Sequence, residues 1–208
     1  MITYEDRLSQ NRIWAFQEGS MHFENESAVH KTLQRIVRRL DEAGIAYAVV
    51  GGMALFFHGL RRFTEDVDIL VTRDGLRQLH DALDGLGYVP PFAGSKNLRD
   101  VESGVKIEFL VTGDFPGDGK PKPIAFPDPQ HVTTLIEGIR FLELPRLIEL
   151  KLASGMSNPL RGQDLVDVQR LIQILALPQS LEESLNPFVS GRYSEIWHLV
   201  QTTASEPE

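Results

Sequence analysis

The chain has 208 residues, of which 21 are Lys or Arg and 29 are Asp or Glu, for a formal net charge of −8. An acidic balance of that size argues against a protein that coats nucleic acid non-specifically. The absence of cysteine excludes disulfides, thiolate-bound zinc, iron–sulfur clusters and a cysteine nucleophile together. With 42% hydrophobic residues, the length suits one or two compact domains.

Residues 1–17 mix acids, arginines and polar groups with no apolar stretch, so no secretory leader is expected and a cytoplasmic location follows. The longest apolar run, 45–57, is broken by Gly51-Gly52 and too short to span a bilayer, so no membrane partner is expected. Residues 1–24 lack a sustained period and read as an N-terminal extension, packed on the body or frayed from it. From Ala28, the side chains of Val29, Leu33, Ile36, Val37 and Leu40 fall on one helical face, and Gly44 stands where a helix end prefers glycine. Lys31, Arg35, Arg38 and Arg39 lie between them as a basic outer face, either solvated and balanced by nearby acids or open to a polyanion.

Residues 45–50 form a short β-rich apolar run, and 53–57 a short buried helix after the two glycines. Residues 67–71 predict a second strand, and 75–86 an amphipathic helix closed by Gly87. In 105–111, Val105, Ile107, Phe109 and Val111 alternate with Lys106, Glu108 and Leu110. A Gly/Pro-rich connection over 113–129 precedes a strand at 139–142. Pro145 opens a helix through Ser154, and Leu165, Val168, Leu171, Ile172 and Leu175 mark another. The layout is α+β: an extension over 1–24, a core of mixed sheet and flanking helices over 25–144, and a helical part over 145–208.

Several common sites are absent. The histidines never fall within four residues of one another, so no helical two-histidine zinc site is encoded locally. The stretch 113–120 imitates a phosphate loop, but its spacing is wrong and Pro121 stands where Ser or Thr would bind magnesium. No Gly-x-Ser-x-Gly elbow occurs.

Asp66-Val67-Asp68 is more informative. An acid-x-acid triplet arises about four times by chance at this composition, and here it occurs at 24/26, 66/68, 100/102 and 206/208. Context separates one of these, because Asp66 and Asp68 alone head a strongly apolar strand. Residues i and i+2 share a face about 7 Å apart, and two full charges at that separation repel by about 2 kcal/mol at an effective dielectric of 20. A divalent cation turns that cost into a binding site. Upstream, Gly51-Gly52 joins a strand to a helix and either exposes backbone N–H groups to phosphate or serves a tight turn alone. Glu108 becomes a third ligand if its strand lies beside 67–71.

Gly51-Gly52, a short helix, Arg62-Phe63-Thr64-Glu65-Asp66-Val67-Asp68 and a later strand carboxylate together resemble the polymerase-β-like nucleotidyltransferase superfamily. Within it, the chain resembles the small bacterial enzymes that include abortive-infection toxins, minimal nucleotidyltransferases and antibiotic-modifying enzymes. The match covers about 45–111, with a looser extension through Lys151 and Arg161-Gly162-Gln163-Asp164. The resemblance implies transfer of a nucleoside monophosphate from an NTP to an acceptor, with two Mg2+ ions (or Mn2+) held by Asp66, Asp68 and Glu108 as the catalytic and metal-binding set. Gly51, Gly52, Arg62, Lys151, Arg161 and Asp164 would bind the nucleotide. The plainer alternatives are a snorkelling Lys151, surface roles for Arg62 and Arg161, and Asp164 as a helix cap. Thr64 is expected to shape the turn before the acids, and His58 to pack at the end of its helix. The acceptor stays open between a small cationic molecule, a tRNA end and a protein. Other readings are a nucleotide-binding toxin–antitoxin component acting through a partner, and a non-catalytic domain retaining the fold.

Overall fold

The computed structural model describes residues 2–83 and 85–204. Two short helices come first, α1 (Tyr4–Gln10) and α2 (Arg12–Phe23), followed by α3 (Ala28–Glu42), β1 (Tyr47–Val50), α4 (Gly51–Phe57) and β2 (Asp66–Val71). Then come α5 (Arg73–Leu83), β3 (Tyr88–Val89), β4 (Leu98–Asp100), β5 (Lys106–Val111), β6 (Thr133–Ile136) and β7 (Ile139–Leu142). The chain closes with α6 (Leu144–Ser157), α7 (Gly162–Leu175) and α8 (Pro187–Ala204). Among the described residues, no helix is long and apolar enough to cross a membrane.

One mixed sheet of seven strands, ordered β3-β4-β5-β2-β1-β7-β6, organises the molecule. β1 runs antiparallel to β2 and parallel to β7, while β2 and β5 run parallel in register from Asp66 beside Lys106 to Val71 beside Val111. Strand parity divides the sheet into two faces. Val67, Ile69, Ile107 and Phe109 are fully buried on one of them. There α5 packs with His80 against Phe109, and α3 reaches across with Thr32 donating to Asp100 (3.1 Å). The periodic apolar residues of α3 are all buried, and Ser27 caps its first turn. At its other end the backbone turns through Gly44 in the left-handed region (φ +66°).

The other face carries Asp66, Asp68 and Glu108, and α6 covers its edge with Leu147, Leu150 and Lys151. The α+β layout and the helical C-terminal region are as expected. Residues 1–24, however, hold two capped helices. Thr3 and Asp6 form a reciprocal capping box, and Asn11 caps α2 through the Trp14 N–H. The Tyr4 hydroxyl donates to the buried Glu18 (2.9 Å), and Glu18 also accepts from the Ala28 N–H (3.0 Å), fastening both helices to α3. The helix expected over 75–86 spans Arg73–Leu83 instead. Gly85 and Gly87 both lie in the left-handed region, so the backbone leaves the helical path before Leu86. The strands β3, β4 and β6 were not anticipated. All are short, and β3 and β6 form the sheet's two edges.

Candidate active site

Asp66 and Asp68 alternate with the buried Val67 and Ile69, so the apolar side chains pin the strand and aim both acids at the opposite face. β5 does the same for Glu108, whose flanking Ile107 and Phe109 are buried. The parallel register sets Glu108 directly beside Asp68. Asp66, Asp68 and Glu108 each offer a carboxylate oxygen, and these lie within 4.8 Å of one another. Sequence spacing alone could not establish this convergence, because it depends on β5 adding beside β2 rather than at another edge.

The cluster is short of positive charge. Burial, then the nearby Asp66 and Glu108 carboxylates, push Asp68 up to about 8 against the pull of Lys151 and Arg161. Asp66 is raised too, chiefly by burial and also by Glu108. The Thr64 hydrogen bond, Lys106 and Arg62 oppose that rise. Three hard oxygen donors with uncompensated charge fit a divalent ion such as Mg2+ or Mn2+ better than a soft metal.

The two glycines are there for space as well as conformation. Gly51 has φ +61°, and a Cβ on it would sit 1.8 Å from Asp68 Oδ2. A Cβ on Gly52 would lie 2.5 Å from Thr64 Oγ1. Thr64 in turn donates to Asp66 Oδ1 (2.9 Å), which fixes the first carboxylate. Thr64 therefore does shape the approach to the acids. His58 binds the Leu142 carbonyl (2.7 Å) where α4 ends and is no part of the cluster.

Facing the acids, α6, α7 and the loop after β5 complete a cleft of about 110 Å³. Gly51, Asp68, Glu108, Lys151, Arg161 and Asp164 all line it, whereas Asp66, Gly52 and Arg62 do not. Pro116 and Gly117 of the glycine-rich loop form part of its wall. Gly117 is wedged against Ser154 and Ser157, and Asn158 donates to its carbonyl (3.4 Å).

Lys151 does not stand free in this cleft. Its Nζ donates to Asp164 Oδ1 and Asp167 Oδ2, each at 2.8 Å, and Ser154 Oγ donates to Asp164 Oδ2 (2.7 Å). Asp164 is not a helix cap, because α7 begins at Gly162 and places Asp164 inside its first turn. Arg62 turns away from the cleft to pair with Asp167, Nε to Oδ1 at 3.2 Å and Nη2 to Oδ2 at 3.3 Å. Arg161 makes no ion pair among the described residues and projects its charge into the cleft.

The residue missed by sequence reasoning is Asp167, fully buried and also bonded to Gln163 Nε2 (3.0 Å). Its only sequence signal was its place three residues after Asp164, on the same helical face. Lys106 shares the face of Glu108, as strand alternation predicts, and pairs with it.

No family model matches the sequence, and no curated protein matches it. Solved structures do. A candidate nucleotidyltransferase from H. pylori is 17% identical, with 86% of this chain and 97% of that chain covered and a TM-score of 0.46. ANT(2")-Ia in complex with adenylyl-2"-tobramycin is 11% identical over 84% of this chain and 98% of that one, TM-score 0.47. An antigenic nucleotidyltransferase-like protein from Paracoccidioides brasiliensis is 19% identical over 82% and 91%, TM-score 0.47.

Proposed function

We propose that this protein is a divalent-metal-dependent nucleotidyltransferase that moves a nucleoside monophosphate from an NTP to an acceptor. The observation that carries the reading is the convergence of Asp66, Asp68 and Glu108 within 4.8 Å, on adjacent strands and opposite a cation-bearing helix wall. In this reading the sheet-bearing part, 25–144, supplies the acids and the helical part, 145–208, supplies the facing wall.

Asp66, Asp68 and Glu108 are the residues that would hold Mg2+ or Mn2+. Two such ions would neutralise triphosphate charge and acidify the acceptor hydroxyl. Asp66 and Asp68 would act on the α-phosphate only through such ions, because a bare carboxylate repels it. The acceptor oxygen forms the new bond to phosphorus, the bond to the bridging oxygen breaks, and pyrophosphate leaves with that electron pair. Glu108, on the neighbouring strand, takes the acceptor proton. Gly51, bare of a Cβ, leaves backbone open beside the phosphates, with Gly52 supporting the same turn. Arg161 offsets charge on the departing pyrophosphate, and Lys151 does so from the position in which Asp164 and Asp167 hold it. Arg62 acts indirectly, by bracing Asp167.

The test is Mg2+-dependent transfer of label from α-phosphate-labelled NTPs onto RNA, aminoglycosides and protein. Wild-type protein is compared with Asp66→Asn and Asp68→Asn. Label transferred by wild type and lost in both variants is the expected result, and equal labelling in all three would refute the assignment.

A further inference from the structure

The acid cluster carries a cation of its own. Lys106 stands two residues before Glu108, so both side chains leave the same face of β5. The register places Lys106 beside Asp66 and Glu108 beside Asp68, which makes a square of three carboxylates and one ammonium. Lys106 pairs with Glu108, and Glu108 is its one ion-pair partner among the described residues. The lysine side chain keeps 31% of its surface exposed, so its flexible stem can carry the ammonium outward into solvent.

A divalent ion ligated by Glu108 would lie next to that ammonium. The two repel with twice the energy of a pair of unit charges at the same distance. Glu108 therefore faces a choice of cation. Resting on the nucleotidyltransferase reading above, we propose that Lys106 is a resident counter-ion that holds Glu108 until a divalent cation displaces it, and so sets the cation concentration at which the site loads. Asp66 and Asp68 serve any bound ion directly, whereas Lys106 acts through Glu108 and is a positioning residue. The arrangement accounts for a lysine set beside three carboxylates at this end of the two strands. It keeps the empty cluster from gathering three neighbouring negative charges with no partner.

Mn2+ binding to the nucleotide-free protein, followed by electron paramagnetic resonance and calorimetry, tests the proposal. Lys106→Met keeps the apolar stem and removes the charge, and its Mn2+ Kd is expected to fall about tenfold. Lys106→Arg restores the competing charge and should stay within about twofold of wild type. The metal-free Lys106→Met protein should melt at a lower temperature than wild type and gain more from added Mn2+. A residue that merely supports the strand would leave Mn2+ affinity unchanged or weaken it when replaced, and either result overturns the proposal. Equal Kd values for wild type and Lys106→Met, with binding abolished by Asp68→Asn, would sink the Lys106 inference alone. Absence of Mn2+ binding in all of these proteins would sink the metal reading and this inference with it.

Discussion

Two clusters of charge meet at the cleft, and they differ in how their charges balance. Between α6 and α7, Asp164 and Asp167 face Lys151 and Arg62, two carboxylates against two cations, and both oxygens of Asp167 are engaged. Across β2 and β5, three carboxylates have Lys106 as their one ion-pair partner among the described residues. A balanced buried cluster holds elements in place and is costly to break. An unbalanced one stores repulsion that an added cation relieves. The contrast separates residues that build the cleft from residues that act in it. Lys151 and Asp164, both expected to bind the nucleotide, are bonded directly to each other within the balanced cluster.

The largest expected effect is on the unbalanced side. Asp66→Asn or Asp68→Asn should lower the rate of nucleotidyl transfer by at least about a thousandfold, roughly 4 kcal/mol of transition-state stabilisation. The circular dichroism spectrum should not change. Near-normal rates would erase the functional side of the contrast. On the balanced side, Asp167→Ala removes that cluster's fully buried carboxylate and leaves Lys151 and Arg62 without their shared partner. Urea unfolding should then show a loss of about 3 kcal/mol. A loss under about 1 kcal/mol, the size of an exposed pair, would mean that this cluster does not hold the helices.

The unequal legibility of the two clusters has a physical cause. Asp66, Asp68 and Glu108 were readable because strand parity is local: an apolar residue on either side of an acid tells which way the acid points. The pair Arg62–Asp167 joins positions 105 apart in sequence, and no local period encodes it. Asp164 has the residue type of a cap, yet α7 starts earlier, at Gly162. α3 declared itself through a continuous apolar stripe, whereas α2 exposes Ile13 at 75% and Phe16 at 80% and shows no such stripe. β3 and β4 have two and three residues, too few for alternation to register. In sequence, Gly51-Gly52 predicts a turn or a phosphate seat. The intrusion of Asp68 and Thr64 into the missing Cβ positions adds a reason visible only in three dimensions.

A third buried polar group sharpens the comparison, because it is kept neutral rather than balanced. His30 lies among His22, Phe56 and Phe57, with Ser27 Oγ 2.9 Å from its Nδ1, and burial, aided by His22, lowers it to about 4. The unfolded chain therefore takes up a proton near 6.5 that the folded chain refuses until about 4. Stability from this group is complete above 6.5, falls as the pH drops through that window, and stops falling below 4. Urea unfolding across the window should show wild type losing about 2 kcal/mol more than His30→Phe. Parallel curves for the two proteins would show that His30 is not held neutral.

The most direct test of stored repulsion asks the same aspartate for a stability cost. With Asp68 raised from 3.8 to about 8, the folded protein holds that proton more tightly than the unfolded chain does. The associated stability is present below 3.8 and is lost as the pH rises toward 8, where the carboxylate must ionise beside Asp66 and Glu108. Asn at this position cannot ionise, so in a chelator-containing buffer Asp68→Asn should be the more stable protein at pH 8.5. The advantage should vanish at pH 4, where wild type keeps its proton. Saturating Mg2+ should reverse the order at pH 8.5, since only the aspartate gains from the ion. If Asp68→Asn is instead the less stable protein at both pH values without metal, Asp68 belongs with Asp167 among the residues that hold the fold, and the distinction between the two clusters fails.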